Sequence, residues 1–123
     1  MNNYKHLKNV LFHNIKNLFD VCSIFCVNPD TDFTRNRKLD FETTMKIVLC
    51  MGASPIKDEL LKFNDFSIAT PSASAFVQAR SKIKPEAFKA LFDGFNKKTF
   101  KKKLYHGYRL LAIDGSELPI DNT

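Results

Sequence analysis

Asp114 closes a nearly continuous apolar run, Tyr108-Arg109-Leu110-Leu111-Ala112-Ile113, and Gly115-Ser116 follows it. A short apolar run bounded by Gly107 and by Asp114-Gly115 predicts a strand buried on both faces. A carboxylate at the tip of such a strand is a hard oxygen donor, suited to a divalent cation. Asp-Gly is also an ordinary reverse turn, and both readings stand at this point. One carboxylate does not hold a pair of ions, because two divalent ions about 4 Å apart take oxygens from several separate segments. Glu117 and Asp121 are near in sequence, yet a strand turning back does not aim all three at one ion.

The second set of chemically pointed residues is basic. The chain carries a net charge of +6, with 19 Lys and Arg against 13 Asp and Glu. From Gly94 to Ile113 there is no acidic residue, while Lys97, Lys98, Lys101, Lys102, Lys103 and Arg109 fall there. Arg35, Arg37 and Lys38 form another cluster. Such clusters attract phosphate backbones and release counterions; a solvated lysine-rich face is the plainer reading. Ser74, Gln78 and Lys82 recur at helical spacing on a polar face, where Gln can meet an adenine edge and Ser or Lys a base or phosphate. Arg80 borders the apolar face of the same helix. Its guanidinium reaches either a phosphate or a carboxylate such as Glu86 or Asp93.

These residues need elements to carry them. Leu7, Val10, Leu11, Leu18, Cys22 and Phe25 recur at three- and four-residue steps, which predicts a first helix from about Tyr4 to Val27, stopped by Asn28-Pro29-Asp30. A polar connector, Asp30 to Lys38, follows. Asp40 caps a second helix, Phe41 to Met51, and Gly52 stands where a left-handed residue is expected. Ser54-Pro55 and Thr70-Pro71 each give a cap-plus-proline signal, opening a short third helix and a fourth from Ser72 to about Ile83. The third and fourth form a unit laid out like a helix-turn-helix. The fifth helix, Pro85 to about Phe100, shows an aromatic stripe of Phe88, Leu91, Phe92 and Phe95.

Composition narrows the class. The hydrophobic fraction of 44% supports a core, and the longest apolar stretch is too short for a bilayer, so no membrane partner is expected. No secretory signal pattern opens the chain, which predicts a cytoplasmic protein. Three cysteines fit a reducing compartment. Cys22 and Cys26 are read as small apolar residues, with no Cys-x-x-Cys pair to favour a metal-thiolate site.

Three segments together resemble the N-terminal third of bacterial insertion-sequence transposases of the DDE class. They are Phe33-Thr-Arg-Asn-Arg-Lys-Leu-Asp-Phe41, Ser74 to Phe88, and Tyr108-Arg-Leu-Leu-Ala-Ile-Asp-Gly-Ser116. The resemblance runs from about Phe33 to Leu118 and is most specific at Ala112 to Ser116. It implies a mainly α fold. A helical bundle with a helix-turn-helix-like pair, residues 1–104, precedes the first strands of an incomplete ribonuclease-H-like α/β core, residues 105–123. Asp114 then matches the first metal-binding and catalytic aspartate. The resemblance also implies two magnesium ions, double-stranded DNA at element ends as partner, and nucleoid association. Arg35, Arg37, Lys38, Ser74, Gln78, Arg80 and Lys82 become the DNA-binding candidates. The second Asp and the Glu of such a triad do not occur before Thr123, so this polypeptide alone is expected to be inactive in cutting and joining. Unpaired strand edges would favour a homo-oligomer and leave residues from about Tyr105 poorly anchored. Two other readings stay open: a free-standing helical DNA-binding or repressor-like protein, in which Asp114 is only a turn, and a helical protein-interaction module.

Overall fold

The structure, a computed structural model, describes residues 3–99, 104–108, 110 and 115. Five α-helices dominate these residues: α1 (Asn3–Asp20), α2 (Phe41–Cys50), α3 (Ile56–Phe63), α4 (Ala73–Ser81) and α5 (Pro85–Thr99). The mainly helical expectation holds. Among the described residues there is no strand, only two isolated β-bridges. None of the described helices is long and apolar enough to cross a membrane.

α1 is shorter than the apolar periodicity predicts. It stops at Asp20, and Cys22–Phe25 form a 3-10 turn instead. Val21, Cys22 and Ser23 are poor helix formers, so nothing local resists the tighter turn. Cys26 is extended at the end of that turn and pairs antiparallel with Ile83. Two backbone bonds make the pairing: the Val27 amide donates to the Lys82 carbonyl at 2.9 Å, and the Lys84 amide to the Phe25 carbonyl at 2.8 Å. Cys26 and Ile83, the residues between these bonds, are both buried. Burial pushes the Cys26 thiol up to about 11, helped by neighbouring Cys22 and Asp32, so the group is an inert apolar filler.

The core has two parts joined by α2. In the first, Ile15, Phe41, Met45, Ile83, Ala87 and Leu91 bring together α1, α2 and α5. In the second, Ile47, Leu60 and Phe76 bring together α2, α3 and α4. Each large side chain fully withdrawn from water contributes about 1.5–3 kcal/mol. The aromatic stripe of α5 is only partly used: Leu91 is buried, whereas Phe92 is 67% exposed. The fourth-helix pattern holds for Phe76 and Ala79, which are buried on α4. The helix ends at Ser81, short of the expected Ile83, which leaves the helix to pair with Cys26 and is buried in the first cluster.

Caps explain most helix starts. Asp40 accepts from the Thr43 amide at 2.7 Å, as expected for a helix N-cap. α4 is capped by Ser72, which accepts from the Ala75 amide at 3.2 Å, rather than by Thr70. α3 has no capping bond from Ser54 and has Pro55 at its N-cap position. Instead, buried Glu59 accepts from the amides of Gly52 and Ser54, both at 3.1 Å. Gly52 is not left-handed; its lack of a side chain serves close approach, since a Cβ there would stand 3.2 Å from Glu59 Oε1.

The Gly52 amide bond, with the Ser54 amide and Lys62 at 3.9 Å, holds the Glu59 carboxyl below the ordinary glutamate range despite burial. Its contribution to stability is present above the unfolded pKa of about 4.3 and is lost as pH falls through the lower folded value. Thermal melts of Glu59→Gln and the parent from pH 7 down to pH 2 check this. The gap in Tm is expected to be widest above about pH 5 and to close in acid. A gap that stays constant with pH would refute the capping role.

Candidate nucleic-acid interface

The Cys26–Ile83 bridge decides where the basic connector lies. Past the bridge the chain turns on Asn28, whose amide donates to Asp32 Oδ2 at 2.8 Å while its carbonyl accepts from the Asp32 amide at 2.9 Å. Phe33 follows in the left-handed region, at φ 56°, which costs a non-glycine residue about 1 kcal/mol. Its ring packs edge-on against Phe41 at 5.7 Å, and that contact offsets the strain. The connector is thereby held against α2 on one side and α4 on the other.

Two adjoining clefts result. One, of about 430 Å³, is lined by Asp30, Phe33, Thr34, Arg35, Arg37 and Lys82, among others. The second, of about 280 Å³, is lined by Arg37, Lys38, Pro71, Ala75, Gln78 and Lys82, among others. Arg37, Leu39 and Lys82 belong to both. Four cations thus face a single carboxylate, that of Asp30. Among the described residues none of the four is in a salt bridge. Lys38 Nζ donates to the Ala69 carbonyl at 3.2 Å, tying the connector to the turn between α3 and α4. Lys82 Nζ lies 5.8 Å from the Phe33 ring centre. Unpaired cations crowded around a polar cleft repel one another, and a polyanion relieves that repulsion.

Of the sequence-derived candidates, Arg35, Arg37, Lys38, Gln78 and Lys82 are brought together here. Ser74 is exposed on the solvent face of α4 beside Gln78, outside the cleft walls. Arg80 is not part of the group. Its guanidinium carbon lies 5.9 Å from the Phe76 ring, and no described carboxylate, Glu86 and Asp93 included, pairs with it; Asp93 is bound by Lys89 at 2.7 Å. If the clefts take a nucleic-acid backbone, Arg80→Ala should leave the salt dependence of that binding near the parent's, where Arg37→Ala lowers the log–log slope by about 1. Anisotropy titrations at several salt concentrations measure both. In the lysine-rich stretch after Gly94, Lys98 is engaged elsewhere, donating to Asn14 Oδ1 at 2.7 Å and so linking α5 to α1.

Asp114, with Ser116, Glu117 and Asp121, lies outside the described residues. Just before it, Tyr105 and Tyr108 exchange two backbone bonds of 2.9 Å around His106 (φ 49°) and Gly107 (φ 83°). That pair of left-handed residues is the tight turn that suits a β-hairpin. Among the described residues no group of three or more His, Cys, Asp or Glu side chains is placed to hold a metal ion. Magnesium therefore enters only through the resemblance. Cleft residues that charge and spacing did not single out include Pro71 and Leu39, and Val77 joins the exposed face of α4. A helical wheel over Ala73–Ser81 would have found Val77, three residues after Ser74. No protein-family model, curated protein or solved structure matches the chain.

Proposed function

We propose that this chain is the DNA-binding N-terminal part of a DDE-class insertion-sequence transposase, and that it holds duplex DNA through α4 and the basic connector. The observation that carries the DNA-binding reading is the convergence of Arg35, Arg37, Lys38 and Lys82 on clefts that also include Gln78. α2, α3 and α4 share one buried cluster, which makes a compact three-helix unit with α4 at its surface. A helix of about 10–12 Å diameter fits a major groove about 12 Å wide. With α4 seated there, the flanking cations meet phosphates and fix register, while the polar face meets base edges.

The assignment to a transposase rests on the sequence resemblance, above all on Ala112 to Ser116. In that reading Asp114 supplies the first carboxylate for magnesium, and the metal's chemistry is in-line attack at a phosphodiester. Substituting Asp114 by Ala in a longer gene product carrying the remaining carboxylates is expected to abolish strand joining and to leave DNA binding intact. Joining that survives would remove Asp114 from the active site.

The DNA-binding reading is tested by titrating a fluorescent duplex with the 123-residue chain between about 50 and 200 mM salt. A slope of log affinity against log salt of about −3 to −4 is expected from the four cleft cations, at about −0.9 per phosphate. A slope near zero would leave a helical protein-interaction module whose lysines serve solubility.

A further inference from the structure

We infer that α4, on the reading that it enters a major groove, selects adenine–thymine pairs: Gln78 takes the adenine edge and Val77 packs on the thymine methyl. Ser74, Val77, Gln78 and Ser81 are all exposed and fall at i, i+3, i+4 and i+7, so they form one stripe. Of the cations that border the stripe, Arg80 lies toward Phe76, and Lys82 lies toward Phe33 in the wall of the cleft it shares with Gln78. Ser81 spends its hydroxyl proton on its own helix, donating to the Gln78 carbonyl at 2.9 Å. Gln78 has no hydrogen-bond partner for its side chain among the described residues, and Val77 is 39% exposed in an otherwise polar stripe.

The chemistry of that stripe discriminates between base pairs. Guanine shows two acceptors in the major groove, O6 and N7, and two donors from one Arg or Lys meet them. The stripe offers neither residue. Adenine shows a donor at N6 and an acceptor at N7, which the donor and acceptor of one Gln amide match. An exposed Val beside that Gln supplies the apolar surface that a thymine methyl needs and that cytosine has no group to fill.

Four alternating duplexes test this with the 123-residue chain: poly(dA-dT), poly(dA-dU), poly(dG-dC) and poly(dI-dC). Poly(dA-dT) is expected to bind about tenfold or more tighter than poly(dG-dC), from one matched bidentate contact. Poly(dA-dU), which lacks only the methyl, should fall about three- to fourfold below poly(dA-dT). Poly(dI-dC) keeps guanine's major-groove acceptors on an adenine–thymine-like minor groove, so it should behave like poly(dG-dC). Val77→Ala should shrink the dT–dU difference and Gln78→Ala should remove the preference over dI-dC. Both positions are exposed, so the variants should fold, and thermal melts check that they do. Equal retention of all four duplexes, poly(dI-dC) binding like poly(dA-dT), or a dT–dU difference left unchanged by Val77→Ala would overturn the inference while DNA binding itself stands. Retention of none would remove the DNA reading, and this inference with it.

Discussion

Exchanging Arg37 and Lys82 together for alanine is expected to weaken duplex binding about 60-fold at 0.1 M salt. The magnitude follows from counterion release: each phosphate contact steepens the salt dependence by about 0.9, so each adds about 0.9 decades of affinity between 1 M and 0.1 M salt. These two residues are chosen because they line both clefts. They also have no carboxylate partner among the described residues, so their removal leaves no stranded charge. The slope itself should become shallower by about 2. Arg35→Ala and Lys38→Ala, each at one cleft only, should act less strongly than the pair. Lys38 has in addition a structural bond to the Ala69 carbonyl, so its loss should also loosen the turn before α4. Anisotropy over a salt series measures all of these, and an unchanged slope in the double variant would place the phosphates elsewhere.

Phe76→Ala is expected to destabilise the protein by about 3–5 kcal/mol, the transfer and cavity cost of a buried aromatic ring. Phe76 is fully buried and is one of only three buried residues that hold the second cluster together, with Ile47 and Leu60. That cluster seats α4 on α2 and α3. A protein of this size has about 5–15 kcal/mol in total, so the loss is a large fraction. Phe76→Leu keeps most of the volume and should recover much of the stability. Urea unfolding followed by circular dichroism reads the difference as a shift in midpoint at nearly constant slope. Because α4 carries Gln78 and borders the cleft, the Ala variant should also lose DNA affinity at temperatures where its helices still form. A cost below about 1 kcal/mol would mean that the α2–α4 unit is not packed as described.

Local rules were the ones the sequence expressed most clearly. Asp40 as an N-cap and Pro85 as the first residue of α5 depend on neighbours a few residues away, and both stand. The inward face of α4 is also readable in Phe76 and Ala79, whereas Ile83 continues their helical step but lies past the helix end, paired with Cys26. The misses have a common cause. Cys22 and Phe25 continue the apolar period of α1 and so predict a helix to Val27, yet both pack against the core from a 3-10 turn. Gly52 looked like a left-handed cap, but a carboxylate seven residues later needs its amide and its empty Cβ position. Phe92 belongs to the stripe of α5 by spacing and is nevertheless exposed.

The candidate site divides the same way. Charge clustering picked Arg35, Arg37 and Lys38, and helical spacing picked Gln78 and Lys82. That the two groups face one another follows from the Cys26–Ile83 pairing, a contact between distant segments that no local pattern announces. Arg80 is a candidate because it borders the apolar face of α4, where a packed stem could send its guanidinium to a phosphate, and the guanidinium lies near Phe76. Two residues along a helix turn a side chain by about 200°, which carries Arg80 away from Gln78.

The most direct measurement is a map of amide chemical-shift changes in the 123-residue chain on addition of an adenine–thymine-rich duplex. Changes are expected to concentrate at Arg35 to Leu39 and at Ser74 to Lys82, with Tyr4, Phe92 and the outer faces of α1 and α5 unmoved. Changes confined to α1 and α5, with the connector and α4 silent, would contradict the proposed interface.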